Sequence, residues 1–250
     1  MRQKIAAGNW KMFKTRQESI EFMEELTKHN IPGDVKCIIA PPYLYLNELT
    51  NLAKGHERIH LSAQNCHEAK DGAYTGEISA PMLKSIGVPY VIIGHSERRE
   101  QHCETHEMLK DKVLAALEND LKPIFCCGEP LEVRKSKEHI AHVTEQLTNS
   151  LKGLSDSQMS NLVVAYEPIW AIGTGLTASP AEAQEMHKAI REHLRDLFND
   201  EIAEAMPILY GGSVKPSNAK ELFSNADVDG GLVGGASLDA KSFSEIINAF

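Results

Sequence analysis

Residues 161–197, NLVVAYEPIWAIGTGLTASPAEAQEMHKAIREHLRDL, hold one complete structural unit. Within the first ten, Leu162 to Tyr166 are apolar on consecutive positions, as in a strand of a parallel sheet covered on both faces. A connection with two glycines follows, and then Ser179 opens a helix. Its hydroxyl and the Glu182 carboxylate three residues on make a capping box, and Pro180 suits the first helical position. Ala183, Met186, Ile190, Leu194 and Leu197 recur at spacings of three and four. That pattern predicts a peripheral helix that buries this stripe and exposes Glu182, Glu185, Lys188 and Arg191.

The same alternation runs outward in both directions. Seven more short apolar runs, KIAAGNW, VKCIIA, RIHLSAQN, YVIIGHS, KPIFCCGE, PILYGGS and DGGLVGGAS, are separated by amphipathic stretches, one of which opens on a second capping box at Thr15 and Glu18. Eight units in 250 residues average about 31 residues each, the size of a strand, a helix and two short loops. No linker or low-complexity stretch interrupts the series, so residues 1–250 read as one α/β domain. An open eight-stranded sheet usually brings an antiparallel edge or an added domain, and the pattern therefore favours a closed (β/α)8 barrel.

Composition narrows the function. Lysine and arginine number 26 against 35 acidic residues, a net charge of −9, which leaves no global positive field for nucleic acid or an anionic membrane. No apolar run approaches the roughly 20 residues of a membrane span. The five cysteines are odd in number and form no CxxC pair, which suits free thiols in a reducing, cytoplasmic setting.

In a barrel of this kind the reactive groups lie just past the carboxyl ends of the strands. Those positions hold Asn9 and Lys11, Gln64 and Asn65, His95, Glu167, Gly211-Gly212-Ser213 and Gly234-Gly235. Singly, each has a bland reading as a turn or a solvated loop residue. Together on one rim they supply a base, an electrophile and a cation with no metal cage, and the glycine pairs after the last two strands offer backbone N–H groups to a phosphate. Elsewhere, HCETH at 102–106 lacks a third ligand at a recognisable spacing and reads as a solvated helix face. Cys126 and Cys127 read as buried, inert thiols.

Several strings carry a family likeness: GNWKM at 8–12, QN at 64–65, GAYTGEIS at 72–79, IGHSERR at 93–99, CGE at 127–129, YEPIWAIGTG at 166–175, YGGSV at 210–214 and LVGGASL at 232–238. In order and spacing, over essentially the whole chain, the sequence resembles the triosephosphate isomerase family. The resemblance implies an aldose–ketose isomerase of glycolysis and gluconeogenesis, acting on glyceraldehyde 3-phosphate and dihydroxyacetone phosphate through an enediolate, without cofactor or metal. It assigns Glu167 as the general base, His95 as a neutral electrophile and Lys11 as the cation for phosphate and enediolate. Asn9 adds a polar contact, and the amides of Gly173, Ser213, Gly234 and Gly235 hold the phosphate. Residues 168–178 become a lid, and the excursion 64–79, with Tyr74 and Thr75 in a glycine-framed turn, becomes the arm of a homodimer. Ser96 is expected to cap a helix whose positive end lowers the His95 pKa. The chain departs from the family pattern at Leu176, Cys127 and Pro130. A Schiff-base aldolase using Lys11 as nucleophile and a silent phosphate-binding barrel are the competing readings.

Overall fold

The computed structural model describes residues 2–173 and 177–250. Its strands are β1 Lys4–Asn9, β2 Val35–Ala40, β3 Ile59–Ala63, β4 Tyr90–Ile93, β5 Lys122–Glu129, β6 Val163–Pro168, β7 Ile208–Tyr210 and β8 Gly230–Val233. Each pairs in parallel with the next, and β8 returns to β1 in the register Ile5↔Gly230 to Gly8↔Val233, closing the barrel. The expected (β/α)8 barrel is what the chain forms. Six strands end earlier than the quoted runs because the residues at their tails turn into the rim loops, whereas β2 and β5 span their runs in full.

Alternate side chains explain why the runs are apolar throughout. Ile5, Ala7, Ile38, Ile92, Ile124, Cys126, Ala165, Leu209 and Leu232 fill the barrel. Their neighbours Ala6, Cys37, Ile39, Val91, Ile93, Phe125, Cys127 and Val164 meet the helices outside. The inward set has a useful corollary: two residues past the last interior side chain of a strand, the same face points into the rim. Asn9 follows Ala7, Glu167 follows Ala165, Gly211 follows Leu209 and Gly234 follows Leu232 by this rule.

The helix Pro180–Leu197 starts at Ser179 with its capping box formed, and Ala183, Met186, Ile190 and Leu194 are buried as expected. Arg191 is not exposed. It is 3% accessible and binds Asp227 Oδ1 at 2.7 Å and Asp229 Oδ2 at 2.8 Å while donating to the carbonyls of Ala203 and Met206. Position 191 lies beside Ile190 and one turn after buried His187, so the stripe is wider than hydropathy alone draws it, and two aspartates from the start of β8 meet the charge.

The segment 102–106 also departs from its reading. His102 caps the end of the helix Ser96–Gln101 and His106 opens the helix His106–Glu118, so no single helix face joins them. Between them Glu104 is buried and accepts from Arg98 Nε at 2.7 Å and Lys112 Nζ at 2.6 Å, and Lys112 also donates to Asn65 Oδ1. This network pins the start of the excursion 64–79, whose tip, with Tyr74 and Thr75, is exposed. All five cysteines are free, and burial pushes the thiols of Cys126 and Cys127 far up, in keeping with inert side chains.

Candidate active site

At the carboxyl end of the barrel a cavity of about 780 Å³ is lined by Asn9, Lys11, His95, Glu167, Gly173, Ser213, Gly234 and Gly235, with Ile172 and Leu232 among its apolar walls. The lining includes every residue to which the resemblance assigns a catalytic or phosphate-binding role. Gln64 and Asn65 are not in the lining. Gln64 Nε2 donates instead to the carbonyls of Lys11 and Ala40, each at 2.9 Å, and so braces the turn that presents Lys11. That turn is tight: Lys11 has φ 52°, in the left-handed region, and its N–H donates to Asn9 Oδ1 at 3.0 Å.

Glu167 is 2% exposed and heavily tethered. Oε2 accepts from the Ser96 N–H at 2.9 Å, and Oε1 accepts from the Ser96 hydroxyl at 3.0 Å and lies 3.0 Å from His95 Nε2. Burial opposes its charge, but the imidazole and the two Ser96 donors outweigh it and hold the carboxyl below its ordinary range.

His95, and not Ser96, is the cap of the short helix that follows. Its Nδ1 accepts from the Glu97 N–H at 3.3 Å, so the neutral ring carries its proton on Nε2, facing Glu167. The expected lowering of the His95 pKa is overturned in this state. Burial works against the imidazolium, yet the Glu167 charge beside Nε2 prevails and raises the value. Lys11 Nζ is bound by Glu97 Oε1 at 2.6 Å, the setting of an ammonium that answers negative charge, which disfavours the aldolase reading with a free amine.

The glycines divide into two kinds. A side chain on Gly211 would press on Glu167 Cγ at 3.0 Å and on the Tyr166 carbonyl, so glycine there lets the carboxylate stand where it does. A side chain on Gly235 would meet nothing within 4 Å and would project into open space, so glycine there keeps the lining low for a ligand. Of the lid reading, Pro168 ends β6, Ile169–Ala171 form a short 3-10 turn, and Ile172 and Gly173, the latter with φ 70°, reach the cavity, while residues 174–176, Leu176 among them, lie outside the described residues.

Sequence reasoning missed Ser96 as the tether of Glu167, Glu97 as the partner of Lys11, and Gln64 as the brace. The first two adjoin His95 in the string GHSER, and that adjacency was the available signal. Among the described residues no three His, Cys, Asp or Glu side chains converge as a metal set would require, and no helix is long and apolar enough to cross a membrane.

A barrel enzyme that moves a proton on a small, anionic carbonyl compound is the class defined by this fold and rim. The triosephosphate isomerase family model matches residues 4–250. The chain is 50% identical over 253 residues to a triosephosphate isomerase of Cytophaga hutchinsonii and 52% identical over 252 residues to one of Bacteroides fragilis, with full coverage of both chains in each case. It is also 51% identical to a relative of the same name from Flavobacterium psychrophilum, over 99% of each chain. The chain belongs to the triosephosphate isomerase family.

Proposed function

We propose that the rim interconverts D-glyceraldehyde 3-phosphate and dihydroxyacetone phosphate, with Glu167 as the base that carries a proton between the two carbons. Aldose and ketose are isomers, so the reaction asks for an acid and a base and for no net oxidation. His95 Nε2–H donates to the substrate's carbonyl oxygen and steadies the enediolate oxygens as charge grows on them, and Lys11 adds an ammonium to the same field. The amides of Gly173, Ser213, Gly234 and Gly235 hold the phosphate, to which Lys11 also lends its charge, and Asn9 adds a polar contact. The observation that carries the reading is the 3.0 Å approach of Glu167 to His95 beside Lys11 in one cavity.

The tether has a mechanistic consequence. Held by Ser96 and His95, Glu167 is a poor base. Substrate that takes the His95 N–H for its own oxygen removes one stabilising donor, and when the carboxylate turns from Ser96 to the substrate carbon, burial raises its basicity at the moment a base is needed. Turnover of glyceraldehyde 3-phosphate by the purified protein, coupled to reduction of the ketose, tests this; absence of turnover contradicts it.

The reading extends to assembly and location. The chain acts as one unit, residues 1–250, in the cytoplasm and as a homodimer joined through residues 64–79, in support of which Tyr74 is half exposed at the tip of that excursion. Replacing residues 70–76 by a short turn should leave monomers of low activity, measured by sedimentation and assay; fully active monomers contradict the dimer.

A further inference from the structure

The opposite end of the barrel holds a second group of basic side chains. Lys36 on β2 lies two residues before interior Ile38, His60 on β3 alternates with outward Ile59 and Leu61, and Lys122 on β5 lies two residues before interior Ile124. All three therefore point toward the barrel axis at its amino-terminal mouth. Each is half-buried. The Tyr90 ring from β4 lies near two of them, 5.7 Å from the His60 ring and 6.0 Å from Lys122 Nζ. Interior Ile92, Ile124, Leu209 and Leu232 separate this mouth from the catalytic cavity.

The mouth lacks counter-charge. Among the described residues neither Lys36 nor Lys122 makes an ion pair or a side-chain hydrogen bond, although the protein carries a net charge of −9 and pairs many of its other surface cations. Burial, and then the charges of Lys36 and Lys122, lower the His60 pKa, and burial followed by Lys122 lowers that of Lys36. No carboxylate figures in either environment. The like charges of this group oppose one another, and an anion set among them would relieve that opposition.

We propose that Lys36, His60 and Lys122 form a second anion site, at the amino-terminal mouth of the barrel, that binds free phosphate. Donors arrive from three strands around one axis. A tetrahedral oxyanion offers acceptors in several directions to such a set, whereas a planar carboxylate offers two oxygens in one plane. The overall negative charge of the molecule repels an extended polyanion, and the inward-facing mouth favours a small ion.

The test is a titration of the protein with inorganic phosphate, followed by the ring resonances of His60 and His95. The His60 signal should shift saturably, and its titration midpoint should rise when phosphate is bound, because an anion favours the imidazolium. Lys36→Met and Lys122→Met should each weaken the His60 response by about tenfold or more, as loss of a charge-assisted partner implies. Isomerase activity and the His95 response should stay as in the parent protein, which also shows that the variants fold. A His60 signal that ignores phosphate, or a response equal in the parent and both variants, overturns the proposal.

Discussion

Glu167 and Glu129 lie on adjacent strands, one register step apart, and both are almost wholly buried, yet their environments act in opposite directions. Glu167 follows Ala165 on the inward face and looks into the cavity. Glu129 follows Cys127 on the outward face, where its Oε1 accepts from the Tyr166 hydroxyl and the Trp170 indole, each at 2.9 Å. Arg134 approaches only to 3.9 Å. Burial dominates at Glu129 and raises its pKa, whereas His95 and two Ser96 donors lower that of Glu167. The lesson is that burial alone does not set a carboxylate's chemistry. The donors around it do, and strand parity decides which donors it meets.

The largest expected difference between the two is catalytic. Glu167→Gln should cut kcat by about 10³-fold, within the usual range for loss of a general base, while Glu129→Gln should cost less than about tenfold because it touches no cavity group. Steady-state assays of both variants decide it, and similar losses would break the comparison. Replacing His95 by Gln removes the main oxygen-directed donor and should lower kcat by about 10²-fold. Glu167→Asp draws the carboxylate back by about an ångström, a misplacement that can cost on the order of 100-fold, with KM changed much less.

A smaller effect sharpens the account of the tether. Ser96→Ala deletes one hydroxyl donor to Glu167 and leaves the backbone donor in place, so the carboxyl pKa in the free enzyme should rise. The acid limb of the kcat/KM profile should then move to higher pH. An unmoved limb would separate Ser96 from the basicity of Glu167.

Stability offers the subtlest contrast. With its folded pKa lowered from 4.5, Glu167 contributes stability above that pH that is lost as pH falls through the folded value. His95, raised from 6.5, contributes below that pH and loses the contribution as pH rises through its folded value. The pair is thus most stabilising between these two pH values. Glu129, raised from 4.5, has the opposite sign to Glu167: the protein loses stability as this group ionises on the way up through its folded pKa. Thermal unfolding of Glu129→Gln should therefore gain on the parent as pH rises from 4 to 7, and that of Glu167→Gln should lose most between 4.5 and 6.5.

How far these features were legible in the chain follows from the range of the interactions. Strand and helix order could be read because consecutive apolar residues and capping boxes are local patterns, as at Val163–Pro168 and at Ser179 with Glu182. Lys11, His95 and Glu167 could be placed on one rim because each sits at the carboxyl end of an apolar run. The partners that set their chemistry could not. Ser96 and Glu167 are 71 residues apart in sequence, Gln64 and Lys11 are 53 apart, and Arg191 meets aspartates that only the closing of β8 brings near. Burial of Arg191 and Glu104 escaped hydropathy for the same reason, since each charge is offset by groups from another element.

The central claim is that Glu167 carries a proton from one face of the bound substrate. Dihydroxyacetone phosphate incubated with the protein in deuterated water and followed by proton NMR tests it most directly. A single positioned base predicts that one of the two hydrogens on the hydroxymethyl carbon is replaced by deuterium and the other kept, and that Glu167→Gln abolishes the exchange. Equal loss of both hydrogens, or exchange that continues undiminished in Glu167→Gln, would contradict it.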